Sequence, residues 1–411
     1  MDVTDLDAIG GWLVERGLAG ASETELLHGL CERANRAGLD LSRGVAIIDT
    51  LHPTFEGRAV RWRNDGIEEA PFIEYGRTSE GEAAASWQRN IFHHMVTRGL
   101  SEFRQRLTEE PLPDLEPFAT LKGHGYTDAF ALAPRFAATG SIGEMDCLYS
   151  LWGTRRAGGF TDADLAALRR LVPSLALAIK CISMGRIAAT LAEVYLGRDA
   201  GRRVLGGTIA RGVAERIDAV LWFSDLRGYT TISDAARPDE IIPFLNDYAH
   251  LVVSAVHEAG GDVLKLIGDG TLAIFKAGDP AEACRSALKA EAALKAEAAL
   301  RRGLAALNER RAAAGQPVTS VYLGLHIGEV FYGNIGSEDR LDFTVVGPAV
   351  NEVSRIVSMC RSVDRNVVMS ADFTAATPEP ERSTLVSVGR FALRGVGRAQ
   401  ELFTLDPGSL A

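Results

Sequence analysis

The alternation of apolar and polar positions divides the chain into elements. ETELLHGLCERANRAG (23–38) repeats its apolar residues at helical spacing and ends at Gly38, a residue suited to a helix C-terminus. GVAIIDTL (44–51) and GRAVRWRN (57–64) read as strands and ASWQRNIFHHMVTRG (85–99) as a helix. DAFALAPRF (128–136) and MDCLYSLWGT (145–154) read as a further pair of strands. FTDADLAALRRLVPSLALAIKCI (160–182) opens with a capping signal, Thr161 followed by Asp164, and continues as an amphipathic helix. From 183 to 215 the chain is helical and charged, but Gly197, Gly201 and the Gly206–Gly207 pair interrupt it. This segment reads as a connector, either a plain spacer or a helix that transmits a signal.

The second half has a regular order. AVLWFSDL (219–226) is predicted as a buried strand, and PDEIIPFLNDYAHLVVSAVHEAG (238–260) as an amphipathic helix. EACRSALKAEAALKAEAALRRGLAALNERRAAAG (282–315) is a long Ala-rich helix with a doubled LKAEAA unit. VTSVYLGLHIGEVFYGNIG (318–336) and DFTVVG (342–347) are strands, and PAVNEVSRIVSMC (348–360) is a helix. Between them lies VLKLIGDGTLAIF (263–275), strand formers split by Gly-Asp-Gly, a hairpin signal. Period-two alternation puts Val263, Lys265, Ile267 and Asp269 on one side of that hairpin. A cation and a carboxylate there form either an edge ion pair or part of a site. Strand, helix, hairpin, helix, strand predicts an α+β fold with a ferredoxin-like βαββαβ core and additions.

Composition narrows the function. A chain of 411 residues holds two or three domains. A net charge of -10 argues against general binding to nucleic acid or acidic membrane, though not against a small anion held by a metal. The five cysteines are scattered without a CxxC, which implies a reducing compartment with neither a disulfide framework nor structural zinc. MDVTDLDAIGGW lacks the apolar core of a signal peptide. The most apolar stretch, LVPSLALAIKCISM (171–184), carries Lys180 and Pro173 and is too short to span a bilayer. The expected setting is the cytoplasm, with no membrane and no nucleic-acid partner.

FSDLRGYT (223–230), LKLIGDGTLAIF (264–275), LGLHIGEVFYGNIG (323–336) and DFTVVGPAVNEVSRI (342–356) occur in the order and spacing of the class III nucleotidyl cyclase catalytic domain. The resemblance covers roughly residues 216 to 405. The first half, by its order of helices and strands and its long closing helix, resembles a GAF-type sensor. The implied organisation is a GAF-like domain over 1–182, a helical connector over 183–215 and a catalytic domain over 216–411.

The resemblance implies an adenylyl cyclase acting on ATP. Asp225 and Asp269, with the Leu226 carbonyl, match the family's ligands for two divalent ions, Mg or Mn. Such ions lower the pKa of the attacking 3'-hydroxyl and neutralise the leaving pyrophosphate. The turn at Gly228, Tyr229 and Thr230 offers backbone N–H groups to the β- and γ-phosphates. Lys265 and Thr344 match the base-selecting pair of the bacterial branch, with the lysine donating to adenine N1 and the threonine accepting from N6. Asn351 matches the ribose-orienting asparagine and Arg355 the transition-state arginine. Arg394 is the candidate cation for the terminal phosphates, with Arg398 as rival. His326 is expected to be a packed residue without a catalytic role. Sites of this family lie between two subunits, so a homodimer is implied, with an unidentified small molecule or protein regulating the GAF-like domain. The alternatives are a cyclase using GTP or a pyrimidine nucleotide, and a non-catalytic nucleotide-binding regulator.

Overall fold

The computed structural model describes residues 1–79, 81–136, 142–143, 145–276 and 285–409. They divide into two compact units, Met1–Leu191 and Ala192–Ala411.

Capping sets where the first helices begin. α1 (Val3–Leu18) follows Asp2 and α2 (Glu23–Arg36) follows Ser22, each within a reciprocal capping box. Strands β1 (Arg43–Asp49), β2 (Gly57–Arg63) and β3 (Phe72–Tyr75) come next, then helices α3 (Gly81–Gln88) and α4 (Ile91–Thr97). The unit continues through β4 (Glu102–Arg106), α5 (Phe118–Gly123), β5 (Asp128–Leu132) and β6 (Tyr149–Thr154) to the long helix α6 (Asp162–Leu196). The six strands form one antiparallel sheet in the order β3-β2-β1-β6-β5-β4. Alternation along β1 serves two cores. Ala46 and Ile48 join α1, α2 and α6 on one face, while Val45 joins α4 and α5 on the other.

Three expectations change here. The helix expected over 85–99 is two helices, because Asn90 takes an extended backbone and caps α4, accepting the Phe92 N–H at 2.9 Å. The pattern also misses α1 and the short strands β3 and β4. β4 is polar, and its Arg104 reaches the buried Asp128 of β5 at 2.6 Å. Finally, α6 runs on from 182 to Leu196, since nothing between 183 and 196 breaks it, and ends at Gly197 with φ +89°. The helix therefore has 35 residues and, by length and composition alone, is long and apolar enough to cross a membrane. Its Leu165, Leu168, Leu171, Leu175 and Ile179 are buried in the core of the first unit. The division between units falls inside this helix and not at 182.

The second unit begins with that last turn and α7 (Arg198–Leu205), and then enters β7 (Ala214–Leu226). After α8 (Tyr229–Ala235) and α9 (Pro238–Glu258) come the hairpin β8 (Asp262–Ile267) and β9 (Gly270–Phe275), then α10 (Arg285–Ala313). The expected start of that helix at 282–284 lies outside the described residues. β10 (Val321–Gly336), β11 (Leu341–Val346), α11 (Pro348–Val363), β12 (Val367–Ser370), α12 (Ala371–Ala376), β13 (Leu385–Phe391) and β14 (Gln400–Leu405) complete it. The sheet runs β13-β14-β12-β10-β7-β9-β8, with β11 paired to β10. Its antiparallel β10-β7-β9-β8 half, with α9 and α10, is the βαββαβ portion. Val220 and Trp222 face α9 and α10, whereas Ala219 and Leu221 share a core with α11, so these helices cover opposite faces.

One polar cluster fastens α7 to this sheet. The Asp199 carboxylate accepts from Lys276 Nζ at 2.6 Å, Arg203 Nε at 2.8 Å and Tyr332 Oη at 2.9 Å. Burial alone raises the carboxyl's pKa, but hydrogen bonding and charge from Lys276, then Tyr332 and Arg203, outweigh it and hold Asp199 below its ordinary value. We expect Asp199→Ala to lower the stability of this unit by about 2 kcal/mol in urea unfolding. A depressed folded-state pKa stabilises above the unfolded carboxylate value of about 4 and is lost as pH falls below it. The gap between wild type and variant should therefore be full at neutral pH and close on acidification. A gap that grows below pH 4 contradicts this.

Candidate active site

Strand pairing brings the two acidic positions together. β7 and β9 are hydrogen-bonded neighbours, with Ser224 opposite Thr271. Asp225 follows on β7, and Asp269 sits in the two-residue turn that precedes β9, where Gly268 takes φ +63°. Asp269 Oδ2 accepts the Leu226 N–H at 3.2 Å. Burial pushes the Asp225 carboxyl up to about 6, helped by hydrogen bonding to Asp269 and by its charge. Among the described residues neither carboxylate has a Lys, Arg or His ion-pair partner. A cavity of about 200 Å³ opens beside them, walled by Leu245, Tyr248 and Val252 of α9.

Two carboxylates held side by side with no cationic partner among the described residues fit a divalent metal supplied from outside. No cluster of three or more His, Cys, Asp or Glu suited to a metal occurs among the described residues. That fits an ion held by one or two carboxylates that takes its remaining oxygens from substrate and water.

The hairpin corrects the simple alternation. A register shift between Val263 and Lys265 puts Lys265 opposite Leu272 and breaks the period that would align Val263 with it. Leu266 and Ile267 are 58% and 50% exposed, so the hairpin tip is not buried. Lys265 forms an ion pair with Asp342 on β11, which brings β8 and β11 together although they do not pair in the sheet. Thr344, buried, lies two residues further along β11, and so on the same side as Asp342.

α11 presents two faces. Val353, Ile356 and Val357 are buried against the sheet, while Asn351 and Arg355, four residues apart, are exposed on the opposite side. The side chains of Asn351 and Arg355 pair with no other side chain among the described residues. Within one chain they point away from the sheet that carries Asp225. Gly228, with φ +70°, precedes α8, in whose first turn Thr230 is exposed. Arg394 is exposed in the connection between β13 and β14, as is Arg398. His326 is 4% exposed, with Nδ1 2.9 Å from Ser370 Oγ and Nε2 3.3 Å from Glu352, as a packed histidine requires.

The sequence of residues 213–406 matches the adenylate and guanylate cyclase catalytic domain family. This segment is a class III cyclase catalytic domain. An adenylate cyclase of Anabaena cylindrica is 34% identical over 178 residues, 42% of this chain and 34% of that protein. Adenylate cyclase 1 of Rhizobium meliloti is 28% identical over 188 residues, 44% of this chain and 27% of that protein. The chain thus spans about a third or less of the length of these relatives. A solved bacterial light-regulated adenylyl cyclase aligns at 21% identity over 57% of this chain and 64% of that one, with a TM-score of 0.48.

In the cyclase domain, Asp342 is the residue the sequence reading overlooked. Its signal was present in the strand DFT, whose alternation places it on the side of Thr344. The close carboxylate pair is unfavourable when no metal is bound. Asp225→Asn should raise the stability of the metal-free protein by about 1 kcal/mol once solvent screening is allowed for. Mn²⁺ should raise the unfolding temperature of the wild type and leave the variant unmoved. Equal Mn²⁺ stabilisation of both proteins would exclude Asp225 as a ligand.

Proposed function

We propose that the chain is an adenylyl cyclase that converts ATP to cyclic AMP and pyrophosphate at sites shared by two copies. The observation that carries this reading is the Asp225–Asp269 pair, which has no cationic partner among the described residues. Two divalent ions, Mg or Mn, supply the acidified 3'-hydroxyl and the neutralised pyrophosphate when bound. Asp225, Asp269 and the Leu226 carbonyl hold them. The backbone at Gly228, Tyr229 and Thr230 and the Arg394 guanidinium hold the terminal phosphates. Lys265 donates to adenine N1 and Thr344 accepts from the N6 amine. Asn351 orients the ribose, and the planar fork of Arg355 meets two oxygens of the phosphoryl group as its charge develops.

Asn351 and Arg355 face away from the carboxylates of their own chain and meet those of a second copy. A twofold dimer makes two such sites. The first unit is a GAF-like sensor in this reading, and its regulator acts by favouring one arrangement of the catalytic pair. The protein works in the cytoplasm, with its nucleotide substrate. A second reading, a guanylyl cyclase, has one observation in its favour. Asp342 beside Lys265 adds a carboxylate acceptor that also suits the N1–H and N2 amine of guanine.

The test is turnover of ATP, GTP, CTP and UTP separately, with Mn²⁺ and then Mg²⁺, and products identified by mass spectrometry. Cyclic AMP is the expected product, and cyclic GMP in its place would favour the second reading. Asp225→Ala and Arg355→Ala should each lower kcat by at least about a hundredfold. Mixed in equal amounts after dissociation, the two dead variants should regain about a quarter of wild-type activity, because half the dimers hold one intact site of two. No recovery would exclude the shared site.

A further inference from the structure

The first unit contains a cavity of about 990 Å³ between the face of its sheet and helices α3 and α4. That volume falls in the range of small-molecule pockets. Its floor follows from the register. Tyr149, Ile47, Ala59 and Ile73 stand opposite one another across β6, β1, β2 and β3 and make an apolar row. One step along lies the row Asp49–Gly57–Tyr75. Gly57 is needed there for space: a Cβ would come 2.1 Å from the Tyr75 hydroxyl and 2.4 Å from its Cζ. Without that Cβ the phenol crosses β2 and donates to Asp49 Oδ1 at 3.0 Å. The bond fixes how the carboxylate is aimed at the base of the cavity.

The walls are aromatic. Tyr149 packs against Phe92 at 5.2 Å and edge-on against Trp87 at 6.2 Å, and His52 packs against Phe55 at 4.8 Å across the opening. The charge facing inward is acidic. Asp49, Glu56 and Asp146 all line the space; Asp146 is paired with Arg135 at 3.8 Å and Glu56 accepts from Thr78, so the acidity rests on Asp49 and Glu56. Of the two arginines in the lining, Arg61 is matched by Glu69 at 3.4 Å, and Arg77 is exposed at the edge. Aromatic faces beside carboxylates attract a cation and repel an anion.

We propose that this cavity binds a small organic cation, with an aromatic or apolar body against Trp87 and Tyr149 and a protonated nitrogen on Asp49. This deepens the proposal that the first unit receives a regulator, but its test reads binding alone and does not depend on cyclase activity. Three probes share one indole body and differ in charge: tryptamine, tryptophol and indole-3-acetate. They are titrated calorimetrically into the full-length protein at pH 7. Saturable binding of tryptamine is expected, about tenfold or more tighter than tryptophol, with indole-3-acetate weakest. Asp49→Asn should bring tryptamine down to the level of tryptophol, and Tyr75→Phe should weaken tryptamine several-fold. Saturable binding of none of the three, preference for the acid, or an unchanged ranking in Asp49→Asn would overturn the assignment. The ranking on the wild type decides even if a variant fails to fold. Added tryptamine during ATP turnover then tests regulation separately. Binding without a change in rate would sink regulation by this ligand and keep the site, whereas an inactive enzyme that still binds would sink only the cyclase reading.

Discussion

Two carboxylates with like charge stand together at the end of β7, and the sheet leaves them no room to separate. β7 is hydrogen-bonded on both sides, to β10 along its whole length and to β9 over its second half. Asp225 is fixed near the end of that strand, and Asp269 is tied to the neighbouring Leu226 N–H. The raised affinity of Asp225 for a proton is the visible cost of that placement. A strained or like-charged arrangement persists only where the surroundings over-determine it, and such places tend to be functional.

The rest of the domain follows from where that pair sits. α9 and α10 cover one face of the sheet and α11 the other, and the side of α11 that carries Asn351 and Arg355 is turned away from the sheet. An Arg left exposed on a helix is ordinary by itself. Here it shares its helix face with Asn351, on the segment that matches the cyclase family. In the proposed dimer each copy gives its carboxylates to one site and its Asn351 and Arg355 to the other, a relation that a twofold axis satisfies.

The residues proposed to carry chemistry were legible because chemistry restricts identity as well as position. An Asp between two glycines at a hairpin turn and an arginine four residues from an asparagine both survive as patterns. The order of elements in the second unit was legible for the same reason that its core is: periods of two and 3.6 are imposed by burial. What escaped lies where local hydrogen bonding overrides those periods. Asn90 ends one helix and starts another inside a continuous apolar pattern. The bulge before Lys265 shifts the strand by a residue, and nothing in VLKLI announces it. β4 is held by Arg104 and Asp128 rather than by apolar alternation, so it has no hydrophobic signature to read. Asp342 escaped because its partner lies on a strand that is not its sheet neighbour.

That last pair bears on base choice. Lys265 and Asp342 are 38% and 41% exposed, and an ion pair so open to solvent contributes on the order of 1 kcal/mol or less. It is too weak to hold the lysine in one rotamer against solvent. In the proposed site, the carboxylate paired with Lys265 stands beside the base that the lysine meets. Adenine offers one amine there and guanine offers a ring N–H with an amine, so Lys265 and Thr344 alone underdetermine the choice. In the proposed cyclase, three side chains therefore choose the base: Lys265, Thr344 and Asp342, which is paired with the lysine.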